Sequence, residues 1–239
     1  MNKIKLFCIP YAGGSGNVYL PWKSLLSGSI ELCPIELAGR GRRFNSDFYQ
    51  TLEEAVEDIS DVILSEVEEC EYAIFGHSMG ALLAYEVYYS LIKKGLKKPK
   101  HIFFSGRKAP QIENDKIKRY KLPDEEFIKV VYKYGGNTKE VFQNKELMDL
   151  FIPILRSDFR IVEDYEFKEK NEKIQTNMTT FYGSNDEGAS YSKIMPWKVH
   201  AEKNFNVIEF NGGHFFVNEF AEEVVHVINK ELLQTNSCD

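Results

Sequence analysis

Gly76-His77-Ser78-Met79-Gly80 is the stretch whose residue types can do covalent chemistry. A serine hydroxyl is a weak nucleophile until a base takes its proton, and the base works best when a carboxylate orients it. The pattern Gly-x-Ser-x-Gly serves that chemistry where a strand turns sharply into a helix. The flanks have that form. Tyr72-Ala73-Ile74-Phe75 is a short apolar run that reads as a buried strand, and Leu82, Leu83, Tyr85, Val87, Tyr88, Leu91 and Ile92 then recur at helical spacing. A turn this tight leaves little room for a Cβ at 76 or 80. It also leaves the amide of Met79 free at a helix N-terminus, where it can donate to a developing oxyanion. A chance match in a glycine-containing loop would lack these flanks and the downstream partners.

In this kind of site the partners follow in the order Ser, Asp or Glu, His, each beyond the end of a strand. There are five histidines. His77 adjoins Ser78, and neighbouring side chains at such a turn diverge. His101 opens a strand at the wrong edge, His200 lies in a surface-like polar run, and His226 sits inside a closing helix between Val225 and Val227. His214 follows a strand in the loop Asn211-Gly212-Gly213-His214, so it is the expected base. The carboxylate is expected at Asp186, in the turn Gly183-Ser184-Asn185-Asp186, with Glu187 as the runner-up. Asp158 and Asp164 belong to a separate helical stretch and are poorly placed for His214. A second oxyanion donor is expected in the early loop Pro10-Tyr11-Ala12-Gly13-Gly14-Ser15-Gly16, at the amide of Ala12 or one next to it. That loop lacks the Gly-Lys-Ser/Thr of a phosphate-binding loop and the G-x-G-x-x-G spacing.

These residues need a scaffold of alternating strands and helices. Strands are expected at Lys5–Ile9, Ile30–Ile35, Tyr72–Phe75, His101–Phe104, Ile174–Tyr182 and Phe205–Phe210. Asn17 is expected to cap a short helix containing Tyr19 and Trp22, Leu52–Val67 reads as an acidic amphipathic helix, and Val217–Leu233 as the closing helix. From Lys108 to about Lys170 the alternation stops. Pro123 opens one helix there, and a second carries Leu147, Phe151, Leu155 and Phe159, with Pro153 bending it. The fold class is α/β: a mostly parallel sheet with helices on both faces and a helical lid insertion at about 108–170, in one domain spanning 1–239. Phe127, Val130, Val131, Phe151, Leu155 and Phe159 are more apolar than an exposed linker requires. Most are expected in the core, with a few lining a channel that faces Ser78.

The 239 residues, 43% hydrophobic and 28% charged, suit one α/β domain. A net charge of −6 argues weakly against nucleic-acid partners, and no basic stripe interleaved with aromatics appears. The apolar run at the N-terminus is cut at Pro10, too short for a signal peptide, and no segment approaches a transmembrane span. Cys8, Cys33, Cys70 and Cys238 form no C-x-x-C pair or metal spacing and read as free thiols, the first three buried. A reducing cytoplasm is the expected location.

Taken together, the chain resembles the type II thioesterases, stand-alone α/β-hydrolases that accompany nonribosomal peptide and polyketide synthases. The resemblance runs nearly end to end. It rests on Pro10-Tyr11-Ala12-Gly13-Gly14-Ser15, Leu37-Ala38-Gly39-Arg40-Gly41-Arg42, the stretch around Ser78, Leu155-Arg156-Ser157-Asp158 and Gly212-Gly213-His214. It implies the α/β-hydrolase fold and hydrolysis of acyl thioesters on the phosphopantetheine arm of acyl or peptidyl carrier protein domains, clearing misprimed or stalled carriers. It implies no dissociable cofactor and no metal, since the substrate itself carries phosphopantetheine, and a monomer with no membrane partner. A small-molecule carboxylesterase, an acyltransferase and a non-catalytic carrier-binding protein are the alternatives. Arg40, Arg42, Arg43 and Arg107 follow sheet strands near the site, where some could meet the phosphate or the carrier, or else form internal ion pairs.

Overall fold

A computed structural model describes residues 3–67, 69–135 and 144–234. Its centre is a sheet of six strands, β1 Ile4–Ile9, β2 Ile30–Pro34, β3 Tyr72–His77, β4 His101–Ser105, β5 Asn177–Gly183 and β6 Phe205–Phe210. They lie in the order β2-β1-β3-β4-β5-β6, and every pairing is parallel. β1 and β3 are neighbours, with Ile9 beside Gly76. The chain leaves β1 toward one edge and returns through β3 toward the other. In open α/β sheets the crevice beyond the carboxyl ends of such a strand pair is where ligands bind.

Strand residues alternate between two cores, as the two-residue period requires. Phe7, Ile74, Ile102 and Phe104 join one cluster with α1 (Leu52–Glu66) and α2 (Met79–Lys93). Leu6, Cys8, Phe75 and Phe103 join the other, with Tyr19, Trp22 and residues of α7 (Ala221–Leu233). Central strands are therefore apolar on both faces, and β3 is buried at every position. On α1, Leu52, Val56, Ile59 and Ile63 turn inward while Thr51 caps the first turn by accepting from the Glu54 amide at 3.2 Å.

The insertion lies between β4 and β5. It contains α3 (Asp124–Tyr134) and α4 (Lys145–Glu163). Asn144 caps α4 by accepting from the amides of Glu146 and Leu147. Phe127 and Val131 of α3 pack against Ile152 and Leu155 of α4 in a small core of their own. Residues 136–143 of the expected insertion fall outside the described residues, as do Cys238 and the tail from Thr235.

Several boundaries differ from expectation. The stretch after β1 is a 3₁₀ helix, Gly16–Ser24, capped by Ser15 rather than Asn17; Ser15 Oγ accepts from the Asn17 amide at 3.3 Å. Pro21 inside it has no N–H to give to the i→i−4 ladder of an α-helix. Pro123 occupies the cap position of α3, and Pro153 lies inside the single helix α4. Ile174 makes only an isolated bridge to Ala201, and the continuous strand β5 starts at Asn177. The short helices after β5 include α5 (Tyr191–Ile194), and the closing helix is split into α6 (Phe216–Glu219) and α7. Cys8 is buried, but Cys33 and Cys70 are half-buried; all three are free thiols. Among the described residues no helix is long and apolar enough to cross a membrane, and no cluster of metal-ligating side chains occurs.

Candidate active site

Ser78 stands between the end of β3 and the start of α2, and its backbone shows what the glycines are for. Its φ is 55°, and it is the one non-glycine residue with positive φ among the described residues. Its amide donates to Ser105 O on β4 at 2.8 Å, and its carbonyl accepts from Ala81 at 3.1 Å, so both sides of the turn are pinned. A Cβ at Gly76 would stand 2.0 Å from Gly80 O, and one at Gly80 would stand 2.1 Å from Ile9 O. No side chain fits at either position. Ser78 makes no capping bond to its own helix, which leaves the hydroxyl free to face outward.

The three residues expected to act together meet. Ser78 Oγ lies 2.9 Å from His214 Nε2, and His214 Nδ1 lies 2.6 Å from Asp186 Oδ2. With the Nδ1 proton donated to the carboxylate, Nε2 is left to accept the serine proton. Asp186 is buried, and its other oxygen accepts from the amides of Gly188 and Ala189 at 2.9 and 3.2 Å. These bonds fix the carboxylate plane. The acid and base loops are also tied directly, Asn185 N donating to Gly212 O at 2.9 Å. Glu187 is exposed and its side chain takes no part.

The other histidines are elsewhere. His77 is fully buried with Nδ1 2.8 Å from Ser105 Oγ. Burial, and then the neighbouring His214, hold its pKa well below the usual imidazole value, so it stays neutral beside the base. His101 contacts Thr179 Oγ1, and His226 is exposed on α7. His200 is buried rather than at the surface, between Tyr85 OH at 3.2 Å and Gln111 Oε1 at 2.7 Å. Its polar sequence neighbours hid a ring enclosed by distant aromatics.

A cavity of about 640 Å³ opens on Ser78 and His214. The β1 loop and the elbow supply Ala12 and Met79 to its wall. Among the described residues neither of these two amides meets a protein acceptor. The amides next along the loop are occupied: Gly13 N donates to Asp158 Oδ2 at 2.7 Å, and Gly14 N to Tyr11 O at 2.9 Å. The insertion adds apolar side chains to the wall, with Val131, Phe151, Leu155, Phe159 and Val162. Phe127 is buried in the insertion core and Val130 is half-buried, and neither lines the cavity.

Sequence reasoning missed two features. Tyr134, the last residue of α3, sets its ring 5.7 Å from the His214 ring. The other is a buried clamp between the insertion and the β1 loop. Asp158 on α4 receives Arg40 in a two-pronged pair at 2.6 and 2.7 Å, and the same carboxylate holds the Gly13 amide. Arg40 also donates to Gly14 O at 3.2 Å. Both side chains are almost fully buried, 4% and 1% exposed, so Arg40 is not free to meet a partner. Arg43 pairs with Asp58 at 2.6 and 2.9 Å. Arg42 is exposed, and Arg107 lines the cavity.

Comparison with known proteins agrees with this geometry. The family model for the thioesterase domain matches residues 4–232. The gramicidin S biosynthesis protein GrsT of Aneurinibacillus migulanus is 35% identical over 96% of this chain and 89% of its own length. The crystal structure of ClbQ from the colibactin NRPS/PKS pathway superposes with a TM-score of 0.93 at 34% identity, covering 97% of each chain. The type II thioesterase BorB from the borrelidin cluster gives a TM-score of 0.87 at 26% identity, over 96% of this chain and 93% of that one. Sequence, fold and the Ser78–His214–Asp186 arrangement together make this chain a member of the thioesterase family, among the type II thioesterases of nonribosomal peptide and polyketide systems.

Proposed function

We propose that this protein hydrolyses acyl thioesters held on the phosphopantetheine arm of carrier proteins, with Ser78 as nucleophile, His214 as base and Asp186 as the group that orients it. The observation that carries the reading is the 2.9 Å approach of Ser78 Oγ to a carboxylate-bound imidazole at the wall of a largely apolar cavity. His214 Nε2 takes the hydroxyl proton as Oγ bonds to the thioester carbon. The carbonyl oxygen becomes an oxyanion that the amides of Ala12 and Met79 hold. The C–S bond breaks, the sulfur leaves with the proton from His214, and an acyl-serine remains. Water then gives its proton to His214 and attacks the acyl carbon; the C–Oγ bond breaks and Ser78 regains a proton. Each oxyanion donor in such a site is worth roughly 3–4 kcal/mol.

An apolar wall discriminates weakly, at about 1–3 kcal/mol per methylene. That suits removal of varied acyl groups from carriers, and GrsT and ClbQ both serve biosynthetic pathways. The test is intact-mass analysis of acyl-loaded carrier proteins, with a simple aryl ester as the rival substrate. The acyl mass is expected to disappear from the carrier, with kcat/KM well above that for the ester. Faster cleavage of the aryl ester, with the carrier left loaded, would support the carboxylesterase reading instead. Absence of labelling at Ser78 by a fluorophosphonate probe would remove the nucleophile from the argument.

A further inference from the structure

We propose that Arg107 makes the cavity beside Ser78 a recognition site for acyl groups that carry a carboxylate of their own. This rests on the reading of that cavity as the acyl site. Arg107 lies two residues beyond β4, whose terminal Ser105 O holds the Ser78 amide at 2.8 Å. Its backbone is anchored: Trp197 Nε1 donates to Arg107 O at 2.9 Å, and the buried Trp197 ring stacks on Phe104 at 4.1 Å. The side chain is half-buried in the same wall as Val131, Tyr134, Phe159 and Val162.

Among the described residues its charge has no partner carboxylate. Arg40, Arg43, Arg119 and Arg156 each hold a carboxylate. Among the described residues, Arg107 has no carboxylate within 4.0 Å and its guanidinium has no protein acceptor. The phenols of Tyr134 and Tyr165 lie near it, and a phenol is uncharged at neutral pH. Glu219 also reaches the cavity, but it is exposed and makes no ion pair with Arg107. Burial lowers the Arg107 pKa to about 10, which still leaves it charged at neutral pH. A cation half withdrawn from water, with no counter-charge among the described residues, gains from an incoming anion, and the planar guanidinium fork matches a carboxylate. A plain hydrocarbon chain would fill the apolar wall and leave this group unanswered. An acyl chain ending in a carboxylate answers both.

The test uses the full chain and thioesters of N-acetylcysteamine, which lack the phosphate of phosphopantetheine. Malonyl, succinyl and glutaryl thioesters are compared with acetyl, butyryl and pentanoyl. At least one dicarboxylic substrate is expected to equal or exceed its plain counterpart in kcat/KM. Arg107→Gln is expected to depress the dicarboxylic series roughly 10- to 100-fold more than the plain series, chiefly through KM. Arg107→Lys should recover part of that ratio. Equal losses on both series overturn the proposal, as does an unaltered protein that cleaves plain chains alone. A loss seen only with carrier-bound substrates, whatever the acyl group, also overturns it, because Arg107 then reads the phosphate. If Arg107→Gln does not fold, inhibition of the unaltered protein decides. Succinate and glutarate should inhibit more strongly than butyrate and pentanoate, and equal or weaker inhibition overturns the proposal. Cleavage of no thioester at all would sink the thioester reading beneath it, a result distinct from each of the others.

Discussion

Ser78→Ala and His214→Ala are each expected to lose on the order of 10⁴- to 10⁶-fold in kcat toward acyl thioesters while remaining folded. The two residues act as one unit through a 2.9 Å hydrogen bond, so the double variant should be little worse than either single one. Asp186→Asn should lose less, about 10³- to 10⁴-fold, because the imidazole stays in place but its Nδ1 proton is no longer held by a charge. Single-turnover rates and circular dichroism would check this. A well-folded Ser78→Ala protein with near-normal turnover removes the mechanism. A Glu187→Gln variant more damaged than Asp186→Asn would move the acid by one residue, although the exposure of Glu187 argues against that.

The second large effect belongs to the clamp. Removing one partner of a buried ion pair strands the other charge, at about 3–5 kcal/mol. For a chain of this size, Asp158→Ala should lower the melting temperature by on the order of 10 °C. Activity should fall as well, because Gly13 loses its acceptor and the neighbouring Ala12 amide loses its fixed direction. Arg40→Met/Asp158→Leu separates the two consequences. An apolar pair of similar volume restores most of the stability, but it gives the Gly13 amide nothing to donate to. The double variant should therefore melt near the unaltered protein while kcat stays depressed and acyl-group KM moves little. Recovery of both stability and kcat would make the clamp a stability device alone.

The clamp also shows where sequence reading stops. Ser78, Asp186 and His214 are legible because each follows a strand, and because the chemistry fixes their order. Gly76 and Gly80 are legible because their lack of a side chain is itself the signal. Arg40 and Asp158 are 118 residues apart, and nothing local to either names the other. A charge in a single sequence looks the same whether it is solvated or paired in the interior. Tyr134 fails for a related reason: on a helix of mixed composition, only the packing of α3 on α4 decides that it faces His214. Ile174 is an apolar residue ahead of a genuine strand, and periodicity cannot tell a bridge from a ladder. Asn17 is not the cap because the helix already begins at Gly16, which puts the cap on Ser15, two residues earlier.

The left-handed backbone at Ser78 puts endurance and turnover in opposition at one codon. Holding a residue with a Cβ in that conformation costs on the order of 1–3 kcal/mol. Glycine would relieve it, against about 0.5–1 kcal/mol for its freer unfolded chain. A library of this chain sorted only for survival of heating should therefore accumulate glycine at position 78 and discard the nucleophile. Sorting for turnover should keep serine at the lower melting temperature. Alanine keeps the strain without the chemistry, so the Ser78→Gly protein should melt above the Ser78→Ala protein. The reverse order would mean that the turn stores no strain, and that heat selection places no pressure on the residue that does the work.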